Sequence, residues 1–327
     1  MLVGLHDAEL EHIKQKSFPN YALMKISAYH KQRGDTVELF TPIDPTELEQ
    51  LTLMPMDDYP ARRKAEIYDI VYSSKVLSYT PENPHLPERA IRGGTGYNST
   101  AELAPEIDSI FPDYSIYPHC DYAIGFITRG CPNRCPWCVV PDKEGDIHPY
   151  RRWRELVRPD SKKIVLMDNN ILACEYGISE LESLIDSGYA IDLNQGMDAR
   201  LIDERIAGII SRLKWIRHIR FSCDQTPQIT AIERAAALLE AHGTKPYRLF
   251  IYILVTKDVA NAAYRVERLR ELNGISLYAQ AERNEARGIP PNPEQLEFAQ
   301  RYVYGRSYRK ETWHEYCENR NLNFCRS

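Results

Sequence analysis

The chain has 327 residues, and its 41 Lys+Arg against 46 Asp+Glu give a formal net charge of −5. Apolar residues make up 43% and charged residues 27%, an ordinary globular composition that excludes a disordered or collagen-like chain. The acidic balance excludes a general polyanion binder and restricts any nucleic-acid contact to a local patch.

The sequence shows neither a membrane-spanning segment nor a signal peptide. Its longest strongly apolar run, Phe250 to Val255, is far shorter than the ~20 residues that cross a bilayer. The N-terminus lacks a basic region followed by an apolar one. We therefore expect a cytoplasmic protein with no membrane partner.

Residues 1–118 are predicted to form a small open α/β domain. Apolar residues at helical spacing predict a helix over Tyr21–Arg33, with Gly34 as its C-cap. Apolar runs predict strands at Thr36–Phe40 and Tyr68–Tyr72. The strand–helix–strand order favours an open sheet with helices packed on it.

Residues 119–285 alternate apolar runs with amphipathic helical stretches. Helix punctuation is clear at Pro227–His242, which begins with proline and is followed by Gly243. Six strands alternating with helices indicate a parallel sheet, and the spacing alone does not separate a partial barrel from an open doubly wound sheet. The predicted strands are Tyr122–Ile127, Lys163–Met167, Ala190–Leu193, His218–Ser222, Leu249–Val255 and Ile275–Ala279.

Residues 286–327 are predicted to be a helical tail. The proline-rich break Pro290–Pro293 precedes a helical stretch at Glu294–Tyr304. The segment beyond it mixes basic and aromatic side chains, which either pack against the preceding domain or offer stacking faces and charge to a nucleic acid. We favour packing. The residues concerned are Arg301, Tyr302, Tyr304, Arg306, Tyr308, Arg309 and Lys310.

Three of the eight cysteines are crowded directly after the first predicted strand of the second region. Cys131, Cys135 and Cys138 have the spacing Cys-x3-Cys-x2-Cys. Three thiolates on one loop favour a soft metal, either zinc or iron–sulfur. Structural zinc needs a fourth ligand, usually from a second pair, and the sequence has no second Cys-x2-Cys pair. Three ligands to an iron–sulfur cluster would leave one iron open to a non-protein ligand.

With Trp137 directly before the third cysteine, the motif resembles the signature of the radical S-adenosylmethionine (radical SAM) enzymes. The resemblance covers about residues 119 to 285 and implies a partial (βα)6 TIM-like barrel. It implies that Cys131, Cys135 and Cys138 hold a [4Fe-4S] cluster whose fourth iron binds SAM. One-electron reduction, by a partner such as a flavodoxin or a ferredoxin, would then cleave SAM to a 5′-deoxyadenosyl radical that abstracts hydrogen from the substrate.

The resemblance also suggests residues near SAM. Trp137 would lie beside the adenine. Many members carry Gly-Gly-Glu after the second strand, to contact the SAM amine, whereas this chain has Asp168, Asn169 and Asn170. Side-chain and backbone groups there could serve the same purpose, and the other interpretation is a strand-ending turn.

Polar residues also follow the third and fourth predicted strands. Gln195 and Arg200 come after the third, and Arg200 could pair with the SAM carboxylate or solvate a helix start. Ser222 and Asp224 end the fourth and could bind the ribose hydroxyls or serve as structural caps.

Residues 1–118 resemble the Rossmann-like cobalamin-binding domain that many radical SAM enzymes carry. The cobalt-binding motif Asp-x-His-x2-Gly is absent, since His6 precedes Asp7. We therefore expect no cobalamin and a degenerate domain used for packing or substrate capture. Gly93–Gly96 is interpreted as a turn, because no Gly-x-Gly-x2-Gly pattern follows a strand there.

The five other cysteines are predicted to be mostly structural. Cys174 and Cys223 follow barrel strands and could touch the substrate, but free cysteine is usually a small buried hydrophobe. Cys317 and Cys325 could join Cys120 in an auxiliary cluster, although their x7 spacing disfavours it.

The sequence as a whole predicts a radical SAM enzyme acting on a small molecule or nucleoside, with its substrate and reaction type undetermined. One alternative is modification of RNA or a nucleoside by the same chemistry, suggested by the basic, aromatic tail. The other is a non-catalytic protein in which the cysteines hold a structural metal or iron–sulfur site.

Overall fold

The computed structural model describes residues 1–12, 18–43, 60–283 and 290–325. The chain divides into two compact units, Met1–Asp121 and Tyr122–Ser327, called unit 1 and unit 2 below. The predicted boundary between residues 285 and 286 lies outside the described residues. Within the described ranges, no helix is both long enough and apolar enough to cross a membrane.

Unit 1 contains a five-stranded sheet in which all neighbouring strands run parallel. The strand order β3-β2-β1-β4-β5 makes β1 and β4 neighbours, so the direction of winding reverses between them. Gly4 in β1 leaves room for the rings of Phe40 and Tyr68, which pack 4.3 Å apart between centroids. The strands are β1 Leu2–Asp7, β2 Thr36–Pro42, β3 Ala61–Arg63, β4 Ile70–Ser74 and β5 Ile91–Gly93.

The helix predicted over Tyr21–Arg33 is confirmed as Tyr21–Gln32. The side chain of Asn20 accepts a hydrogen bond from the Leu23 N–H and caps its start, and Gly34 follows with φ +82°. Within the described residues of unit 1, the other α-helices are Ala8–His12 and Pro105–Asp108, and the 3₁₀ helices are Ala65–Ile67, Thr95–Tyr97 and Tyr114–Ile116.

Unit 2 is also a mixed α/β structure with parallel sheets. Strands lie at all six predicted positions and form two three-stranded parallel sheets, β10-β9-β6 and β11-β12-β13. Isolated parallel bridges join Ile191 to Trp215 and Met197 to Phe221. The strands are β6 Ala123–Gly125, β7 Thr128–Arg129, β8 His148–Pro149, β9 Lys163–Leu166, β10 Ala190–Leu193, β11 Ile219–Ser222, β12 Leu249–Val255 and β13 Ser276–Ala281.

The helices of unit 2 alternate with these strands, and their buried apolar residues belong to the same hydrophobic cluster. The predicted helix Pro227–His242 spans Gln228–Ala241, with Pro227 as N-cap. The α-helices are Val140–Glu144, Glu175–Leu184, Glu204–Arg212, Gln228–Ala241, Val259–Leu269, Pro293–Leu296 and Trp313–Asn319. The 3₁₀ helices in the described part of this unit are Trp153–Glu155, Ile171–Ala173, Ala199–Leu201, Pro246–Arg248, Ser307–Arg309 and Asn323–Cys325.

The tail packs into the core of unit 2. The predicted helix Glu294–Tyr304 consists of the α-helix Pro293–Leu296 and a π-helix, Glu297–Val303. Tyr302 and Tyr308 are buried in the hydrophobic core, whereas Tyr304 is 70% exposed. Tyr302 and Tyr308 therefore cannot stack on bases, and that part of the nucleic-acid interpretation of the tail is wrong.

Strand β12 shows how unit 2 separates two faces. Leu249, Ile251, Ile253 and Val255 alternate along it and are all buried in the core. The residues between them are half-buried on the opposite face. One face of this sheet thus packs into the core, and the other carries the aromatic side chains of Phe250 and Tyr252.

Candidate functional site

The three motif cysteines lie on one loop of unit 2, called the cysteine loop, which spans Arg129–His148. Its ends are joined by the antiparallel pair of β7 and β8, in which Arg129 lies opposite His148. Within it, the Cys131 N–H donates to the Gly145 carbonyl at 3.2 Å, and the Cys138 N–H donates to the Cys135 carbonyl at 3.0 Å. Cys131 is buried, Cys135 and Cys138 are half-buried, and all three thiols are free.

The loop brings the three thiols into one electrostatic environment. Burial raises the pKa of Cys135 and of Cys138, and the charge of Cys131 raises both further. Asp224 raises both pKa values too, while Arg200 lowers that of Cys135. The structure therefore places Asp224 and Arg200 beside the cysteine loop. A metal that binds these sulfurs has to displace their protons.

The cysteine loop offers three thiols, the type of donor that iron–sulfur clusters take. Among the described residues, no three His, Cys, Asp or Glu side chains form a group that could hold a metal ion. In a cluster each thiolate binds a different iron, so cluster ligands stand further apart than the ligands of a single ion. The Asn170 side-chain amide donates to the Cys131 sulfur at 3.7 Å, and hydrogen bonds to sulfur are one way that proteins tune clusters.

The segment after β9, Asp168–Asn170, contacts the cysteine loop and the residues just before it. The Asp168 carboxylate accepts from the Ile127 N–H at 3.1 Å and from the Thr128 hydroxyl at 2.7 Å. Burial raises the pKa of Asp168 to about 6. The Asn169 amide donates to Glu144 at 2.8 Å. Asn169 and Asn170 thus contact the cysteine loop, and Asp168 holds the two residues just before it. A role for these three residues in binding SAM stays a prediction.

Arg200 carries a two-pronged ion pair with Asp198. Its Nε and terminal nitrogen donate to the two Asp198 oxygens at 2.8 and 2.6 Å, and this hydrogen bonding raises the pKa of Arg200. Asn133, in the cysteine loop, donates to Asp198 at 3.2 Å. Asp198 therefore orients Arg200 next to the loop, and the Arg200 side chain stays 52% exposed.

The remaining predicted SAM residues occupy separate positions around the same edge. Trp137 and Ser222 are half-buried, and Gln195 is exposed. The Asp224 carboxylate accepts from the Leu254 N–H at 3.2 Å, and burial raises its pKa. Asp224 is also close enough to Cys135 and Cys138 for its charge to raise their pKa values.

Sequence reasoning missed the aromatic and charged face of the strands in unit 2. Asp192 and Arg220 form a buried ion pair between β10 and β11. The rings of His218 and Tyr278 stack on Phe250 with centroids 5.2 and 6.2 Å away. The signal was present, because every second residue of Leu249–Val255 belongs to this face.

The other cysteines fit a packing role. Cys223 and Cys317 are fully buried, Cys120 is buried and Cys174 is half-buried. Burial raises the pKa of Cys223 to about 12, so this thiol stays protonated and unreactive. The side chain of Cys325 lies outside the described residues.

Near the carboxyl end of β1 in unit 1, the described imidazole of His6 has hydrogen bonds at both of its ring nitrogens. His6 is 1% exposed, and its two ring nitrogens are hydrogen-bonded to Ser73 at 2.8 Å and to Glu11 at 2.7 Å. A ring nitrogen of His6 would have to leave one of these partners to become an axial ligand. His6 therefore does not fit the role of a cobalamin ligand.

Comparison with known proteins gives little beyond the structure itself. No family model matches the chain, and no curated protein matches it. Among solved structures, it is similar to the cobalamin-dependent S-adenosylmethionine radical enzyme OxsB, solved with aqua-cobalamin and S-adenosylmethionine bound. The TM-score is 0.44 at 10% identity, over 95% of this chain and 56% of that one. The chain spans about half the length of OxsB.

Proposed function

We propose that this chain is a radical SAM enzyme that binds a [4Fe-4S] cluster through Cys131, Cys135 and Cys138. The observation that carries the proposal is the cysteine loop itself: a Cys-x3-Cys-x2-Cys segment just after the carboxyl end of β6, with its thiols in one electrostatic environment. When bound, the cluster and SAM would supply a 5′-deoxyadenosyl radical for hydrogen abstraction. We further propose that the six parallel strands form a partial (βα)6 barrel, supported by the bridge from Met197 to Phe221.

The chain's own residues have distinct tasks in this proposal. The three cysteine thiolates hold the cluster, and Asn170 donates a hydrogen bond to one of them. Arg200, oriented by Asp198, offers its exposed edge to the SAM carboxylate. Other residues complete the proposed SAM site. Trp137 lies beside the adenine, Ser222 and Asp224 bind the ribose hydroxyls, and Asn169 and Gln195 supply polar groups at the edge of the site.

Substrate would meet the face of the strands that carries the aromatic and charged side chains. Tyr252 and Tyr278 are half-buried there, with ring centroids 5.9 Å apart. The carboxyl ends of parallel strands are where α/β folds bind their ligands, so this face and the cysteine loop meet at one edge. A one-electron reductant such as a flavodoxin or a ferredoxin would complete the system.

Anaerobic reconstitution with iron and sulfide tests the proposal. We expect oxygen-sensitive iron, and 5′-deoxyadenosine on addition of dithionite and SAM. Cys135→Ala should abolish both, whereas Cys174→Ala, which changes a half-buried cysteine outside the motif, should leave both unchanged. The proposal fails if the wild-type protein takes up no oxygen-sensitive iron, or if the loaded protein yields no 5′-deoxyadenosine.

A further inference from the structure

The carboxylate of Glu144 is the meeting point of three segments of unit 2. Arg129 donates to both of its oxygens, at 3.1 and 2.8 Å. The Gly130 N–H donates at 3.0 Å and the Asn169 amide at 2.8 Å. The Glu144 side chain is only 12% exposed, so most of its hydration is replaced by these four hydrogen bonds.

These partners lie at the two ends of the cysteine loop and at the end of β9. Arg129 and Gly130 directly precede Cys131, while Glu144 follows Cys138 by six positions. Asn169 belongs to the segment whose next residue, Asn170, contacts the Cys131 sulfur. Glu144 therefore closes the loop and ties its closure to the strand beside it.

The two ends of the cysteine loop lie close together near Glu144. Gly130 has φ +78°, and a Cβ there would collide with the Asp146 carbonyl oxygen. The neighbouring Cys131 N–H donates to the Gly145 carbonyl at 3.2 Å. On its outer side, the Arg129 guanidinium lies 4.2 Å from the centroid of the Phe126 ring. The closure is thus held by side-chain charge and backbone hydrogen bonds, and both the positive φ and the close packing at Gly130 require glycine there.

We infer that Glu144 is a positioning residue that closes the cysteine loop before iron arrives. An open loop would have to be ordered when the cluster forms, and that ordering would subtract from iron affinity. With Glu144 in place, Cys131 already stands where Asn170 reaches it. The closure follows from the contacts alone, and only its consequence for iron rests on the proposed function.

The substitutions form a graded set. Glu144→Ala removes all four hydrogen bonds. Glu144→Gln keeps an oxygen for Gly130 and Asn169 but presents an amide to one nitrogen of Arg129, so its effect should be intermediate. Asp146→Ala is the matched control, because it removes an ion pair of the same loop, with Arg134 at 2.7 Å, whose partners are 78% and 60% exposed.

Hydrogen exchange on the iron-free, full-length protein tests the closure. We expect Glu144→Ala to speed exchange of the Gly130 amide by about tenfold or more, since its hydrogen bond to a charged group is lost. Exchange of the Cys131 amide, which donates to the Gly145 carbonyl, should also speed up as the loop opens. Glu144→Gln should give a smaller increase, and Asp146→Ala should match the wild type. Unchanged exchange in Glu144→Ala would overturn the inference, and if that variant does not fold, Glu144→Gln decides by the same criterion.

Iron uptake at limiting iron tests the consequence. Glu144→Ala and Glu144→Gln should load less iron than the wild type, in the order of their exchange rates, and Asp146→Ala should load as much. Equal loading despite faster exchange would overturn the positioning role. A wild-type protein that binds no iron would instead refute the proposed function, while the exchange result would still decide whether Glu144 closes the loop.

Discussion

The side-chain amide of Asn170 donates a hydrogen bond to the sulfur of Cys131, 3.7 Å away. Both residues are buried, and within the described ranges the Asn170 oxygen Oδ1 has no hydrogen-bond partner. The Asn170 side chain therefore makes its hydrogen bond to the sulfur through its nitrogen Nδ2. A donor at this position stabilises negative charge on a thiolate and on whatever the thiolate binds.

If the cluster is bound as proposed, Asn170→Ala should make its reduction potential more negative. The hydrogen bond stabilises the reduced, more negative cluster more than the oxidised one, so its loss favours oxidation. A redox titration followed by electron paramagnetic resonance measures the shift. Asn194→Ala is the control, because Asn194 makes a comparable contact with sulfur, 3.9 Å to Met167 Sδ, which is no cluster ligand. An unchanged or more positive potential in Asn170→Ala contradicts the prediction.

Cys135→Ala should lose iron and stay folded. Cys135 is half-buried on the loop and lies outside the hydrophobic core, so its truncation should change the free energy of unfolding by less than about 1 kcal/mol. Iron content and urea unfolding of the iron-free protein measure the two effects. A variant that unfolds together with metal loss would favour the alternative of a structural metal site, since structural metals couple binding to folding.

We expect Asp168 to lower the free energy of unfolding of the iron-free protein as the pH rises from about 4 to 6. Burial raises its pKa from 3.8 to about 6, so in this window the folded state binds more protons than the unfolded state. Stability due to this group is therefore present below pH 4 and is lost as pH rises through 6, by about 3 kcal/mol at 1.36 kcal/mol per pKa unit.

Asp168→Asn isolates this component, because it keeps an oxygen for Thr128 and removes the titration. Urea unfolding of both proteins across pH 4 to 7 gives the difference in the free energy of unfolding. The wild type should lose stability relative to the variant as pH rises. A difference that is flat, or that grows in favour of the wild type, contradicts the prediction.

Replacing either Asp192 or Arg220 alone should lower the free energy of unfolding by about 3–5 kcal/mol. Each single change leaves the other charge buried without its partner. Asp192→Leu and Arg220→Met together should cost less than either alone. Urea unfolding in a double-mutant cycle measures both. For comparison, Arg212→Met, in an exposed pair with Asp186, should cost no more than about 1 kcal/mol. Additive losses at Asp192 and Arg220 would show that the two charges do not interact.

The sequence alone determined the features that depend on neighbouring residues. Apolar runs predicted strands that are present at all six positions in unit 2, and the helix at Tyr21–Gln32 follows from apolar spacing and Gly34. The cysteine spacing likewise places three thiols on one loop, whatever the rest of the chain does. These patterns are local, because strand and helix periods repeat within a few residues.

Tertiary structure decided which side chains meet. Asn169 reaches Glu144 from 25 positions along the chain, and Asn170 reaches Cys131 from 39. Such contacts depend on which strand ends lie side by side, and residue order does not specify that. The tail shows the same limit, since its aromatic pattern did not reveal that Tyr302 and Tyr308 face the core while Tyr304 faces solvent. Burial there depends on where the π-helix Glu297–Val303 packs, and only the folded chain settles that.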